Sequence, residues 1–257
     1  MTASSHTARA HSFNAAAAQY AANRPSYPPA LFDLIEDLAG RPLAGARVAD
    51  IGAGTGIATA LLAARGANVV AVEPGEGMAS EFRRAHPLIP VVRGSGNALP
   101  LADGSADLLT YAQAWHWTDT TRSVPEALRV LRPGGSLALW WNTSALDVPW
   151  IDAQTARIGR RFGADTVVDR KGSGLRTALA DPSGRLEFTH RRVRWSRHVP
   201  VDTHLANIGS HSVFLVQGER SASAFLTEER GHLLAVFPDG IVEETYVVEL
   251  LVATTPS

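Results

Sequence analysis

The spacing of apolar residues changes character near residue 47. Before it, Leu31, Leu34, Ile35 and Leu38 recur on one helical face, predicting a helix over residues 30–38 that ends at Gly40. An alanine-rich stretch, residues 13–22, predicts an earlier helix that stops at Arg24-Pro25, and Tyr27-Pro28-Pro29 then forces an extended turn. After residue 47, short continuous apolar runs alternate with amphipathic stretches. Such runs mark parallel strands buried on both faces, joined by helices. Strands are expected at 47–51, 68–73, 90–93, 106–113 and 136–142, with helices at 56–65, 77–85 and 121–131, the last closed by Arg132-Pro133-Gly134-Gly135. Beyond Asn142 the regularity weakens: a helix at 149–162, a loop at 164–185, a strand at 186–197, helices at 202–217 and 227–237, and a last strand at 241–252.

The pattern predicts an α/β fold, a Rossmann-like sheet of about seven strands with helices on both faces. One domain over 1–257 is expected, with an N-terminal helical lead-in and lid (1–45), a core (46–142), and an insertion after the fifth strand followed by the last strands (143–257).

Composition narrows the functions open to such a fold. Hydrophobic residues make up 45% of the chain, enough for a sizeable core. A net charge of −1 offers no bulk attraction to nucleic acid or to an anionic membrane. No cysteine is present, which excludes disulfides, thiolate metal sites and a cysteine nucleophile. Lys171 is the only lysine, so no Schiff base forms elsewhere. His198, His204 and His211 have no recognised metal spacing, and no metal is expected. No run of about 18 apolar residues occurs, and the expectation is a cytoplasmic monomer or homodimer.

Candidate chemistry begins at Asp50-Ile51-Gly52-Ala53-Gly54-Thr55-Gly56-Ile57, where the first strand of the alternating region gives way to a helix. Open α/β sheets bind ligands at such a turn. A dinucleotide fingerprint places its third glycine at 57, where this chain has Ile57; the spacing here is G-x-G-x-G. That argues against a nicotinamide-dependent dehydrogenase. Glu73, ending the next strand and followed by Pro74, stands where a carboxylate accepts both ribose hydroxyls of an adenosine. A ligand with adenosine but no pyrophosphate meets both conditions, and S-adenosylmethionine is one.

With Gly94-Ser95-Gly96-Asn97-Ala98-Leu99-Pro100 and Leu131-Arg132-Pro133-Gly134-Gly135, these motifs resemble, in order, those of class I S-adenosylmethionine-dependent methyltransferases of small-molecule type, the methyltransferase domain family 11 kind. Tyr20 to Pro28 also resembles the lead-in of many such members. The resemblance implies that Gly52, Ala53, Gly54 and Gly56 line the cofactor, that Asp50 organises the loop, and that Glu73 holds the ribose with Pro74 beside it. It implies that Ser95, Gly96 and Asn97 lie at the adenine. Serine stands where many members have aspartate, and its hydroxyl accepts more weakly from the adenine amino group. Arg24 is placed to pair with the methionine carboxylate and Tyr20 to cover the donor; S-adenosylhomocysteine is the product.

Gln113-Ala114-Trp115-His116-Trp117 follows the fourth strand, where the family keeps side chains that face the donor and acceptor. Gln113 is expected beside the cofactor. His116 has the intrinsic pKa of a general base for a hydroxyl, amine or acidic carbon, or it orients a carboxylate or aromatic carbon. Trp117, Trp141 and Asn142 are the acceptor-side candidates, with one tryptophan of each pair facing the pocket because strand side chains alternate; between Trp140 and Trp141 the sequence leaves the choice open. The function expected is methyl transfer to a small natural product or metabolite by in-line displacement. The alternatives are a cofactor-binding but catalytically silent partner protein and an RNA or protein methyltransferase. Within 191–197, Arg192, Arg194 and Ser196 share one strand face and Arg191, Val193, Trp195 and Arg197 the other, as on a solvated edge strand.

Overall fold

The computed structural model describes residues 23–163, 181, 184, 186–215 and 219–256. The helix expected at 13–22, including Tyr20, lies outside the described residues, as does nearly all of the loop expected at 164–185. The first described helix, α1 (Pro29–Ala39), opens on a proline, where no intrahelical N–H is required, and closes on Gly40 at φ 61°. Leu31, Phe32 and Ile35 form its buried face.

Seven strands form one sheet in the order β3-β2-β1-β4-β5-β7-β6. They are β1 (Arg47–Ile51), β2 (Asn68–Glu73), β3 (Val91–Arg93), β4 (Ala106–Ala112), β5 (Leu131–Ser144), β6 (Thr189–Pro200) and β7 (Ile241–Thr254). β1 pairs in parallel with β2 and β4, β2 with β3, and β4 with β5. β7 runs antiparallel to β5: Ser136 meets Thr254, and further along Thr143 meets Val247. Helices α2 (Ile57–Ala64), α3 (Glu76–Ala85) and α4 (Thr120–Val130) connect the parallel strands. The chain leaves β1 for β2 and β3 on one side and returns for β4 and β5 on the other. The strand order therefore reverses between β1 and β4, the place where sheets of this class open a crevice.

The segment Arg132-Pro133-Gly134-Gly135, expected to close a helix, instead lies inside β5. Helix α4 ends at Val130 and the chain passes directly into the strand. Ala106 pairs with Leu131 while Leu108 pairs with Ser136, so the motif bulges out of register. Gly134 at φ 68° supplies the left-handed residue that such a bulge needs. The helix expected at 202–217 is two pieces, α6 (Val201–Gly209) and α7 (Ser212–Leu215), and α8 (Glu219–Val236) begins well before the expected 227.

The chain divides into two compact units. One comprises Ser26–Asn142, Gly172–Val193 and Val248–Ser257. Its core joins Ile51, Val72, Leu109, Tyr111 and Leu139 from the strands to Trp115, and to Val124 and Ala127 of α4. The other comprises Met1–Pro25, Thr143–Lys171 and Arg194–Val247. It has its own apolar cluster of Val199, Leu205, Ile208, Leu233 and Val242.

The second unit also buries a polar network. Glu244 of β7 accepts from Arg197 Nε (2.5 Å), His204 Nδ1 (2.7 Å) and the Tyr246 hydroxyl (2.9 Å). Gln154 of α5 (Pro149–Phe162) meets His204 Nε2 at 2.9 Å and donates to Glu229 at 3.0 Å, where Arg157 also donates twice. The alternation expected along β6 is present and the strand is an edge, but its inner face delivers Arg197 to a buried carboxylate rather than to solvent.

Candidate active site

The glycine turn sits at the C-terminal end of β1. Gly52, Gly54 and Gly56 take φ values of 69°, 58° and 94°, so three alternate residues occupy the left-handed region that side chains resist. A Cβ on Gly56 would stand 2.5 Å from His86 Cδ2 and 2.8 Å from Phe82 Cε2, so glycine here is also a matter of space. Around Gly54 the opposite holds: nothing lies within 4 Å of where a Cβ would point, and the turn faces open space there. The Gly52 and Ala53 amides donate to the Val72 carbonyl, tying the turn to β2.

Two carboxylates frame this turn. Asp50 is fully buried; Thr59 of α2 donates to Oδ2 at 2.5 Å and Thr110 of β4 to Oδ1 at 2.8 Å. Burial raises its pKa to about 6 against the lowering effect of the two hydroxyls, with a further push from Glu73. Asp50 thus braces β1, α2 and β4 beneath the turn. Glu73 receives the Gly54 amide on Oε2 (2.8 Å) and the Gly75 amide on Oε1 (2.7 Å). Burial raises its pKa too, opposed by those amides and by Arg93.

These residues fit an adenosine-bearing cation. Each Glu73 oxygen accepts one amide and keeps lone-pair capacity for a ribose hydroxyl. The Thr55 hydroxyl is buried with no hydrogen-bond partner among the described residues. The turn presents backbone and open space at Gly54, and its carboxylates favour a positively charged ligand.

Past β2 and β3, Gly94 approaches Pro100 so closely that a Cβ would meet the ring at 2.6 Å. Ser95 forms an isolated bridge with Ala98, and Asn97 Oδ1 accepts the Asp119 amide at 2.9 Å, joining this loop to the start of α4. Asp119 caps α4 through Thr121. Pro74 is exposed, while Ser95 and Asn97 are half-buried and Gly96 is buried. Gln113, just beyond β4, is the single non-glycine residue with positive φ (59°) among the described residues. Such strain persists where surrounding bonds impose it. Here the Gln113 amide donates to the Trp140 carbonyl at 2.9 Å, and its side chain donates to the Asn142 carbonyl at 3.2 Å.

The Trp115-His116-Trp117 segment is a 3-10 turn, so the strand alternation expected for that pair does not apply. Trp115 points into the core against Tyr111, Trp117 is 37% exposed, and His116 lies between them. On β5 alternation does hold. Trp140 packs edge-on to Tyr27 and Phe32, while Trp141, on the opposite face, donates its indole N–H to His116 Nδ1 at 3.2 Å.

One unit therefore brings together Asp50, the glycine turn, Glu73, the Ser95 loop, Gln113, His116, Trp117, Trp141 and Asn142. Arg24 belongs to the other unit, where its guanidinium donates to the Ser210 carbonyl at 3.4 Å. Sequence reasoning missed Thr59 and Thr110 as the clamps on Asp50. Thr110 follows the apolar Leu108-Leu109 pair of β4 as a buried polar residue; Thr59 stands in the first turn of the helix that follows the glycines.

The comparisons agree with this geometry. The model of a family described as Methyltransferase domain matches residues 49–139. An uncharacterised methyltransferase of Mycobacterium tuberculosis is 35% identical over 227 residues, covering 88% of this chain and 87% of the relative. A methyltransferase-like protein of Schizosaccharomyces pombe is 36% identical over 167 residues, covering 63% and 64%. A solved structure assigned to the type II methyltransferases, from Anaeromyxobacter dehalogenans, matches with a TM-score of 0.71 at 26% identity, covering 91% of this chain and 99% of that one. Similarity along most of both chains, together with the glycine turn and the Glu73 carboxylate bonded to it, establishes that the chain belongs to the class I S-adenosylmethionine-dependent methyltransferases.

Proposed function

We propose that this enzyme methylates a small organic acceptor, a metabolite or natural product, in the cytoplasm. The observation that carries the reading is the pairing, in one unit, of the glycine turn with an aromatic side formed by buried Trp141, half-buried His116 and exposed Trp117. S-adenosylmethionine supplies an activated methyl group on a sulfonium, and displacement there requires alignment and exclusion of water more than bond-making by the protein.

In this reading Glu73 accepts the ribose hydroxyls, and Gly54 lets the donor approach the backbone. Ser95, Gly96 and Asn97 border the adenine, and Asp50 holds the turn without touching the ligand. Gln113 is held in its strained conformation beside the reacting centre, while Trp117, Trp141 and Asn142 shape the acceptor side. The net charge of −1 supports a small acceptor over RNA.

The test is incubation of the full chain with donor carrying a labelled methyl group and extracts of small metabolites. Label is expected in a low-molecular-mass organic product. Label recovered only in RNA or protein overturns the acceptor class.

A further inference from the structure

We infer that the arginine cluster at the N-terminal ends of β1 and β4, in which Arg41, Arg47 and Arg132 surround Asp107, is a binding site for a small phosphate-type dianion, separate from the glycine turn.

All four residues belong to one unit. Arg41 follows α1, Arg47 opens β1, Asp107 is the second residue of β4, and Arg132 lies in the bulge of β5. The bulge brings them together. Ala106 pairs with Leu131 and Leu108 with Ser136, so Arg132 to Gly135 are the extra residues set against Asp107. Gly135 permits the close approach: a Cβ there would stand 2.8 Å from the Arg132 carbonyl oxygen and 3.3 Å from that of Asp107.

Three guanidiniums converge on one carboxylate oxygen. Asp107 Oδ1 lies 3.2 Å from Arg41 Nη1 and 3.2 Å from Arg47 Nη2, and Arg132 Nε pairs with it as well. Oδ2 accepts the Arg47 backbone amide at 2.7 Å and its Nε at 3.3 Å. Burial would raise the Asp107 pKa, but the bonds from Arg47 and Arg132 outweigh it and hold the acid well below the ordinary carboxylate range, so it is charged at neutral pH. Three cations therefore meet one anion, and two positive charges are left unbalanced. Among the described residues none of the three arginines pairs with a second carboxylate. Glu36, close in the chain to Arg41, is committed to Arg65 and to the Leu43 amide. Other arginines of this unit show the opposite ratio: Arg65 meets Asp33 and Glu36, and Arg129 meets Asp103 and Glu126.

Because the three cationic heads share one oxygen, they lie closer together than the screening length of about 8 Å, and salt does not remove their repulsion. A dianion does. Guanidiniums present forked N–H donors that match the oxygens of a phosphate, and each carries more donors than its part of one carboxylate can use. The exposure is also right for a ligand: the arginine side chains are 25%, 53% and 37% exposed, against 12% for Asp107, so the cations rather than the anion face solvent. Arg132 further lines a groove of about 370 Å³ with Leu128, Leu131, Pro133 and Pro256, which gives an organic phosphate a place for its apolar part. The five-residue strand β1 separates Arg47 from the glycine turn by about 13 Å at the usual rise per residue. The carboxylates at that turn, Asp50 and Glu73, repel an anion.

The test is titration of the full chain with inorganic phosphate against sodium chloride at matched ionic strength, read by thermal unfolding and by the phosphorus-31 line width. Phosphate should broaden and stabilise saturably, with a midpoint on the order of 1 mM, and chloride should not. Arg41→Gln and Arg132→Gln each leave Asp107 with two arginines and should weaken phosphate binding by about 10-fold. Asp107→Asn removes the competing anion and should tighten it by about 10-fold, whereas a purely structural ion cluster predicts no gain. Phenyl phosphate distinguishes the sources: tighter binding than inorganic phosphate supports a phosphate ester seated along the groove, and equal binding supports free phosphate. An identical response to phosphate and chloride, undiminished affinity in both glutamine variants, no gain in a folded Asp107→Asn, or displacement of phosphate by S-adenosylhomocysteine overturns the proposal. The glutamine variants decide if Asp107→Asn does not fold.

Discussion

Asp50 and Glu244 are both buried carboxylates on strands of the same sheet, and they are treated in opposite ways. Glu244 accepts from the Arg197 guanidinium as well as from His204, Asn207 and Tyr246. Burial alone would raise its pKa, but the bonds from His204 and Arg197 outweigh that and hold it down to about 2. Asp50 has two threonine hydroxyls and no cation bonded to it, and burial dominates to place it at about 6. The unit containing Glu244 balances its charge internally, as a structural network must. The unit containing Asp50 keeps two nearby carboxylates short of cationic partners beside an open turn, an arrangement suited to a ligand that brings its own positive charge.

The sharpest way to break this contrast is to neutralise each acid. Glu244→Gln should leave Arg197 without its anion and cost about 3–5 kcal/mol in denaturant unfolding, whereas Asp50→Asn should cost no stability at neutral pH, because the amide still meets both hydroxyls and no buried charge remains. Equal losses would erase the distinction.

The pH dependence comes next in size. Asp50 has a folded pKa above its unfolded value, so its contribution is full below about pH 4 and is lost as pH rises through about 6, on the order of 3 kcal/mol. Glu244 has the opposite sign: its contribution is full above pH 4.5 and is lost as pH falls through about 2. Unfolding of wild type and Asp50→Asn between pH 4 and 7 should converge at the acid end and separate toward neutrality, the variant being the more stable.

Glu73→Ala removes the carboxylate proposed to hold the donor's ribose and should weaken S-adenosylhomocysteine binding by about 10- to 100-fold in calorimetry. The smallest effect is expected at Gly54, where an added methyl meets nothing: Gly54→Ala should cost about 1 kcal/mol, from positive φ alone.

The same contrast explains what could be read from the sequence. The glycine-turn region was legible because it is local: β1, the glycines, α2, β2 and Glu73 follow one another within 27 residues of Arg47, and strands buried on both faces announce themselves as unbroken apolar runs. The network around Glu244 was not, since Gln154, His204, Glu229 and Glu244 come from distant segments whose spacing has no period. Trp115 to Trp117 deceived for another reason: alternation holds only on a strand, and the chain makes a 3-10 turn there. The Arg132-Pro133-Gly134-Gly135 motif looked like a helix stop because glycine after a helix usually is one, yet its positive φ serves a bulge. Which indole met His116 depended on the face each β5 tryptophan presents, which alternation narrowed to one of two without choosing.

The central claim is that the turn from Asp50 to Gly56, with Glu73 beside it, holds the methyl donor. Calorimetric titration of the full chain with S-adenosylmethionine and with S-adenosylhomocysteine tests it most directly. Saturable binding in the micromolar range that weakens in Glu73→Ala is the expected result. A well-folded protein that binds neither compound, or a Glu73→Ala variant with undiminished affinity, would contradict it.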